Sequence, residues 1–180
     1  MTQPIPVLLL FGQPELRLGE QLVALPTRKL MALLAYLALE GPTARSKLAE
    51  LLWDATDERA RANLRGELYR LKKVGLEHAL EERGDALVLS GISSDLEVFE
   101  RAVARGQWQE ALEVRRGTLL ENFVLPGALE FGTWLSLARE RLEERFNEVL
   151  AARAESLERA GRIECGARDA PTLAISRCVA

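Results

Sequence analysis

The sequence predicts an α+β winged helix-turn-helix followed by an all-α region of helical hairpins. Three observations carry that prediction: short apolar runs parted by turn residues at the start, a short helix and tight turn ahead of a strongly basic helix, and long amphipathic patterns afterwards. The 180 residues suit one sizeable domain or two small ones. They divide into a winged-helix unit over 1–91, a helical unit over 92–164 and an atypical tail over 165–180.

Val7 to Phe11 is a short apolar run. Leu16, Leu18, Leu22, Val23 and Leu25 then fall among polar residues, with turn signals at Gly12-Gln13-Pro14 and Gly19-Glu20-Gln21. This reads as a three-stranded antiparallel sheet. Thr27 can cap a helix whose Leu30, Leu33, Leu34, Leu37 and Ala38 keep the helical period, and Gly41-Pro42 ends it. Thr43 can cap a shorter second helix with Ala44, Leu48, Leu51 and Leu52 on one face, closing at Trp53-Asp54-Ala55. Trp53 is assigned to the core, with a backbone phosphate as the alternative contact.

Thr56 can cap a third helix, with Asp57 and Glu58 in the first turn, Lys72 and Lys73 in the last, and Gly75 as its end. Two strand-like stretches between Ala79 and Leu89 flank an Arg83-Gly84-Asp85 turn and predict a hairpin. Sheet, helix, helix, turn, helix, hairpin is the order of a winged helix-turn-helix, in which the helix after the turn enters the major groove of DNA.

That third helix is where the charge sits. Between residues 59 and 73 six cations (Arg59, Arg61, Arg65, Arg70, Lys72, Lys73) face one acid, Glu67, while residues 1–91 as a whole hold twelve Lys plus Arg and twelve Asp plus Glu. Ala60, Leu64, Leu68, Leu71 and Val74 form an apolar stripe; Ala62, Arg65, Gly66, Tyr69 and Lys73 lie opposite, with Arg70 at the edge. Glu67 falls inside the stripe, where a buried unpaired carboxylate is costly, so it either snorkels to solvent or pairs with an arginine. A mid-helix glycine costs about 1 kcal/mol against alanine, a loss that a close approach to a partner explains.

An Arg-rich face on an isolated helix is ordinarily just solvated; the preceding helix and turn and the following hairpin favour DNA here. Arg65 and Arg70 are the candidates for base readout, because arginine grips guanine O6 and N7 with ~1–3 kcal/mol of discrimination. Asn63 could read adenine. Arg61, Tyr69, Lys72 and Lys73 suit phosphates, Arg59 belongs to the same DNA-binding set, and Arg83 on the hairpin suits the adjacent backbone or minor groove. Arg45, Ser46 and Lys47 at the start of the second helix read equally as a phosphate contact or as solvated surface.

Other function classes find little support. The single histidine, His78, has no G-x-S-x-G elbow to serve and reads as a solvated loop residue. Gly41 to Lys47 lacks the second glycine and the Mg-binding hydroxyl of a phosphate loop, and no G-x-G-x-x-G occurs. Both cysteines, Cys165 and Cys178, lie in the tail, so no metal, cofactor or enzymatic activity is expected. The longest apolar run, Leu30 to Leu39, is about half of the ~20 residues that cross a bilayer, and the start lacks a basic n-region, so a cytoplasmic protein without membrane contact is expected.

Beyond residue 92, Asp95 can cap a helix with Leu96, Phe99, Ala102 and Val103 inward. Gly106 to Leu112 opens another helix, and a long pattern from about Ala128 to Ala160 carries Leu135, Ala138, Leu142, Phe146, Val149, Leu150 and Leu157 as its stripe.

Several blocks in order resemble a known family: Leu25-Pro26-Thr27-Arg28-Lys29-Leu30, Leu33 to Leu39, Leu48 to Trp53, Glu58 to Arg65, Leu68-Tyr69-Arg70-Leu71, and Ser94 to Glu100. They are similar to bacterial transcriptional activators of the antibiotic-regulatory-protein (SARP/BTAD) type, over roughly residues 6 to 161. The resemblance implies an OmpR-like winged helix, a tetratricopeptide-like activator domain, dimerisation on repeated sites of double-stranded DNA, and contact with RNA polymerase. The pattern departs at Cys165-Gly166-Ala167-Arg168-Asp169-Ala170-Pro171, read as a truncated or frame-shifted end that leaves the long helix an apolar face for a second copy. The alternative is a protein-interaction module with helical hairpins as scaffold and the winged helix as a second protein-binding surface, which the zero net charge of residues 1–91 and the overall pI near 5.4 favour.

Overall fold

The computed structural model describes residues 5–55 and 57–168, with side chains as far as residue 159. The leading apolar run forms β1 (Val7–Leu9), which pairs antiparallel with β2 (Glu15–Leu18), and β2 pairs with β3 (Gln21–Leu22). The sheet has four strands where three were expected. Its fourth, Ser93–Ser94, runs parallel to β1 with Leu8 opposite Ser94, so the chain returns here after the hairpin. Leu8, Leu10 and Leu16 are fully buried beneath the sheet.

Helix α1 (Arg28–Glu40) begins as expected. The Leu30 N–H donates to Thr27 Oγ1, and Gly41 ends the helix at φ 73° with its N–H on Leu37 O. Residues 30 to 37 are all buried, which makes α1 the central element of the first half. Thr43 does not cap the next helix. Thr43–Ala44 is strand β4, the Thr43 hydroxyl donates to Gly41 O, and α2 (Arg45–Trp53) starts without a side-chain cap. Strand formation there needs a partner that no local pattern reveals, the hairpin strand carrying Leu87.

The third helix, α3, spans Glu58–Lys73, and its cap is Asp57, whose carboxylate accepts the Ala60 N–H at 2.8 Å. Thr56, the expected cap, lies outside the described residues. A short 3-10 turn at Glu77–Ala79 carries His78, which is exposed as expected. The hairpin follows as β5 (Leu80–Arg83) and β6 (Ala86–Leu89), turning through Gly84 and Asp85, and β4 completes a three-stranded sheet. Trp53 packs against the core, with Lys29 Nζ 4.4 Å from its ring centroid.

After β7 (Ser93–Ser94) come α4 (Asp95–Ala104), α5 (Trp108–Val114) and α6 (Leu129–Arg168). The cap of α4 is Ser94 Oγ, which accepts from Glu97 N–H, and not Asp95. Asp95 is buried and turns to the leading sheet, accepting from Leu10 N–H at 2.9 Å and Phe11 N–H at 3.0 Å. Burial pushes its carboxyl above the usual range, against the opposing pull of those N–H groups and of Arg116. Helix α6 carries helical backbone across residue 165 to Arg168, where an irregular tail was expected; the rest of that tail lies outside the described residues.

The expected stripe of α6 is inward through Val149, but Leu150 and Leu157 are exposed, 48% and 61%. Trp108 and Glu110 of α5 line a cleft with Arg153 and Leu157 there, so α5 reaches this stretch without covering it. One continuous cluster of buried side chains runs through both halves. Phe11 meets Phe99 and Phe146 edge-on at 5.9 and 5.3 Å, while Tyr36, Trp134, Phe131 and Phe123 form a second aromatic chain between α1 and the start of α6.

Polar contacts add to this joint. Asp54, at φ 49° after α2, accepts the Leu129 and Glu130 N–H groups and so caps α6, and those bonds hold its carboxyl below the usual range. Glu40, at the end of α1, accepts from Trp134 Nε1 at 2.7 Å and Arg141 at 2.6 Å. Among the described residues no helix is long and apolar enough to cross a membrane, and no cluster of His, Cys, Asp or Glu could hold a metal ion.

Candidate nucleic-acid interface

Helix α3 buries Ala60, Leu64 and Leu71 against α1 and α2 and leaves the opposite side to solvent. Leu68 is half-buried, and Val74, the C-terminal cap of the helix, stands at 36% exposure. Arg59, Arg61, Asn63, Arg65, Tyr69, Arg70, Lys72 and Lys73 are all exposed, with Ala62 among them and Gly66 half-buried. A face of cations around two small residues is the arrangement expected from the sequence. A Cβ added to Gly66 would meet only Arg70 Nη1, at 3.8 Å, so no contact within the chain requires glycine there.

Part of the predicted set converges. Arg45 and Ser46 of α2, Arg61, Leu64 and Arg65 of α3, and Asp85 of the hairpin line one cleft of about 440 Å³. The Arg45 N–H donates to Asp85 O at 3.0 Å, and its guanidinium reaches Glu82 at 2.7 Å, which ties the start of α2 to the hairpin. The three guanidiniums are offset locally by Asp85 in the lining and by their partners Glu58 and Glu82. Tyr69 and Lys73 pair further along, with Nζ 5.0 Å from the ring centroid.

Lys47 and Arg83 are not brought into that cleft. Lys47 acts electrostatically on Glu40, on the side where α6 packs. Arg83 pairs with Glu81 on its own strand at 2.9 Å, which raises the guanidinium's pKa and lowers the carboxyl's.

Both candidates for base readout are partnered within α3. Arg65 reaches Glu58 at 2.9 Å, with Arg61 3.8 Å from the same carboxylate. Arg70 Nη1 donates to Glu67 at 2.9 Å, and Glu67, buried as the stripe required, also accepts from the Thr27 hydroxyl at 2.5 Å. The Thr27 link escaped sequence reasoning because the two residues stand forty positions apart. The one available signal was the misfit of Glu67 in an apolar stripe.

No family model matches the chain, and no curated protein matches it either. Among solved structures it is similar to Mycobacterium tuberculosis EmbR, determined in complex with a low affinity phosphopeptide, at a TM-score of 0.65 and 22% identity. The likeness covers 89% of this chain and 48% of that one, so the chain spans about half the length of its structural neighbour. At that identity the two share a fold: a mixed α/β part followed by a helical region.

Proposed function

We propose that this chain is a sequence-specific DNA-binding transcription regulator of the SARP type. Residues 1–91 act as a winged helix-turn-helix with α3 in the major groove, and the helical remainder acts as a tetratricopeptide-like activator unit serving a second copy or RNA polymerase. The observation that carries this reading is the exposed face of α3, where cations surround Ala62 and Gly66 while the other face is buried. In it Arg65 and Arg70 read bases, Asn63 contributes at the groove edge, Arg45, Arg59, Arg61, Tyr69, Lys72 and Lys73 hold phosphates, and Arg83 and Lys47 are outlying contacts. The fold shared with the regulator EmbR supports the same class.

The test is selection of bound duplexes from a random pool with the purified chain, then titration of the winner at two salt concentrations. A directly repeated motif with a steep salt slope is expected. Absence of enrichment, with only weak salt-sensitive binding, overturns the reading in favour of a protein-interaction module. The balanced charge of residues 1–91 and the internal pairing of Arg65 and Arg70 favour that second reading.

A further inference from the structure

Resting on the DNA-binding reading, the geometry points to Glu67 and Thr27 as positioning residues that fix the Arg70 guanidinium for base readout. Glu67 occupies a core position of α3, in register with Ala60, Leu64 and Leu71, and its side chain is only 6% exposed. A carboxylate there costs stability that leucine would not, since burying an ion is repaid only by well-placed partners. It has two such partners, and they lead in opposite directions.

Inward lies Thr27. Its hydroxyl accepts the Leu30 N–H at 3.2 Å, as the cap of α1, and donates to Glu67 Oε2 at 2.5 Å. That hydroxyl is therefore fixed in orientation by the helix it caps. Outward lies Arg70, whose Nη1 donates to Glu67 Oε1 while half of its side chain stays in solvent. The bond uses Nη1 alone. The parallel Nε–H and Nη2–H donors, the pair suited to guanine O6 and N7, make no bond among the described residues.

Gly66 is not part of the relay, since a Cβ there would stand at an ordinary contact distance of 3.8 Å from Arg70 Nη1. A long side chain on an exposed helix face samples many rotamers, and ordering it on binding costs affinity. The relay from the α1 cap through a buried carboxylate settles that ordering before DNA arrives. Arg65 differs: its acid, Glu58, is itself exposed, and an exposed pair holds a side chain weakly.

The experiment compares wild type, Arg70→Ala, Glu67→Gln and the double variant on the selected duplex and on its single-base-pair variants. Arg70→Ala should lower discrimination at one base pair by roughly tenfold. Glu67→Gln should lower it several-fold at that same base pair, with an unchanged salt slope and no further loss in the double variant. Uniform weakening on every duplex would assign Glu67 a merely structural role and overturn the inference. Glu67→Leu keeps the core filled, so it should fold at least as well as wild type and still lose the discrimination; Thr27→Ser, which keeps the hydroxyl, should retain it.

Guanidinium ¹⁵N NMR without DNA separates the two claims. Hindered Arg70 rotation in wild type that Glu67→Gln releases, together with loss of discrimination at the Arg70 base pair, supports the relay. Hindered rotation with no duplex selected sinks the DNA reading and the relay's role with it. A selected duplex read by Arg70 but indifferent to Glu67→Gln and Glu67→Leu sinks the relay alone.

Discussion

Asp95→Ala removes the carboxylate that joins α4 to the leading sheet. The Leu10 and Phe11 N–H groups it serves belong to residues that are 0% and 1% exposed, and they have no other acceptor among the described residues. Each orphaned buried donor costs about 1–3 kcal/mol. Arg116, 3.5 Å away and 44% exposed, loses a pair worth well under about 1 kcal/mol. Relief of the carboxylate's own desolvation offsets part of the loss, which leaves about 3 kcal/mol near neutral pH.

Urea unfolding followed by circular dichroism is the assay. With a slope of about 2 kcal/mol per molar urea, the midpoint should fall by roughly 1.5 M. The pH dependence adds a sign. Because burial raises the folded-state pKa of Asp95 above its unfolded value, the stability linked to this carboxyl is fully present below the ordinary carboxylate range and declines as pH rises through the raised value. The gap between wild type and variant is therefore widest at low pH and narrows upward. A midpoint shift below about 0.5 M at unchanged slope, or a gap that widens with pH, would refute this account of the joint.

Asp54→Asn weakens the cap of α6 and should cost about 0.5–1 kcal/mol; since N–H bonds hold the Asp54 carboxyl below its usual range, this difference exists above the ordinary carboxylate range and disappears as pH falls through the lowered value, as urea titrations at several pH values would read. Gly66→Ala should stabilise α3 by up to about 1 kcal/mol, because its new methyl meets nothing closer than Arg70 Nη1 at 3.8 Å, while weakening DNA binding; unchanged affinity in a filter-binding titration would exclude close approach of the backbone. Lys73→Ala should weaken all duplexes alike and reduce the salt slope by about one, measured by titration at graded salt.

Local signals were legible in the sequence, and distant pairings were not. Thr27 and Gly41 bound α1 because each acts on its own helix terminus, and Gly84-Asp85 turns the hairpin because the turn needs only its own residues. Thr43 and Asp95 both look like caps, and each is instead engaged by backbone more than forty residues away, Thr43 by the strand of Leu87 and Asp95 by the Leu10 and Phe11 amides just past β1. Ser93–Ser94 carries no apolar alternation, so its parallel pairing with β1 leaves no trace in the pattern. Leu150 and Leu157 keep the period of the α6 stripe, but periodicity states which side a residue is on and not whether a neighbour covers it. The charged face of α3 was readable throughout, and so was the pull of Glu67 on an arginine; which arginine it takes, and the pairing of Arg65 with Glu58, were not, because they depend on rotamers.

The shared aromatic cluster bears on how this chain can be divided in the laboratory. Cutting after residue 91 would strip Phe11 of Phe99 and Phe146, uncover Tyr36 where Trp134 lies on it, and leave the Leu10 and Phe11 amides without an acceptor. The excised fragment would present fresh apolar surface and invite association with itself. The first ninety residues are thus not a portable cassette, and fusions that transplant them should carry the start of α6 as well.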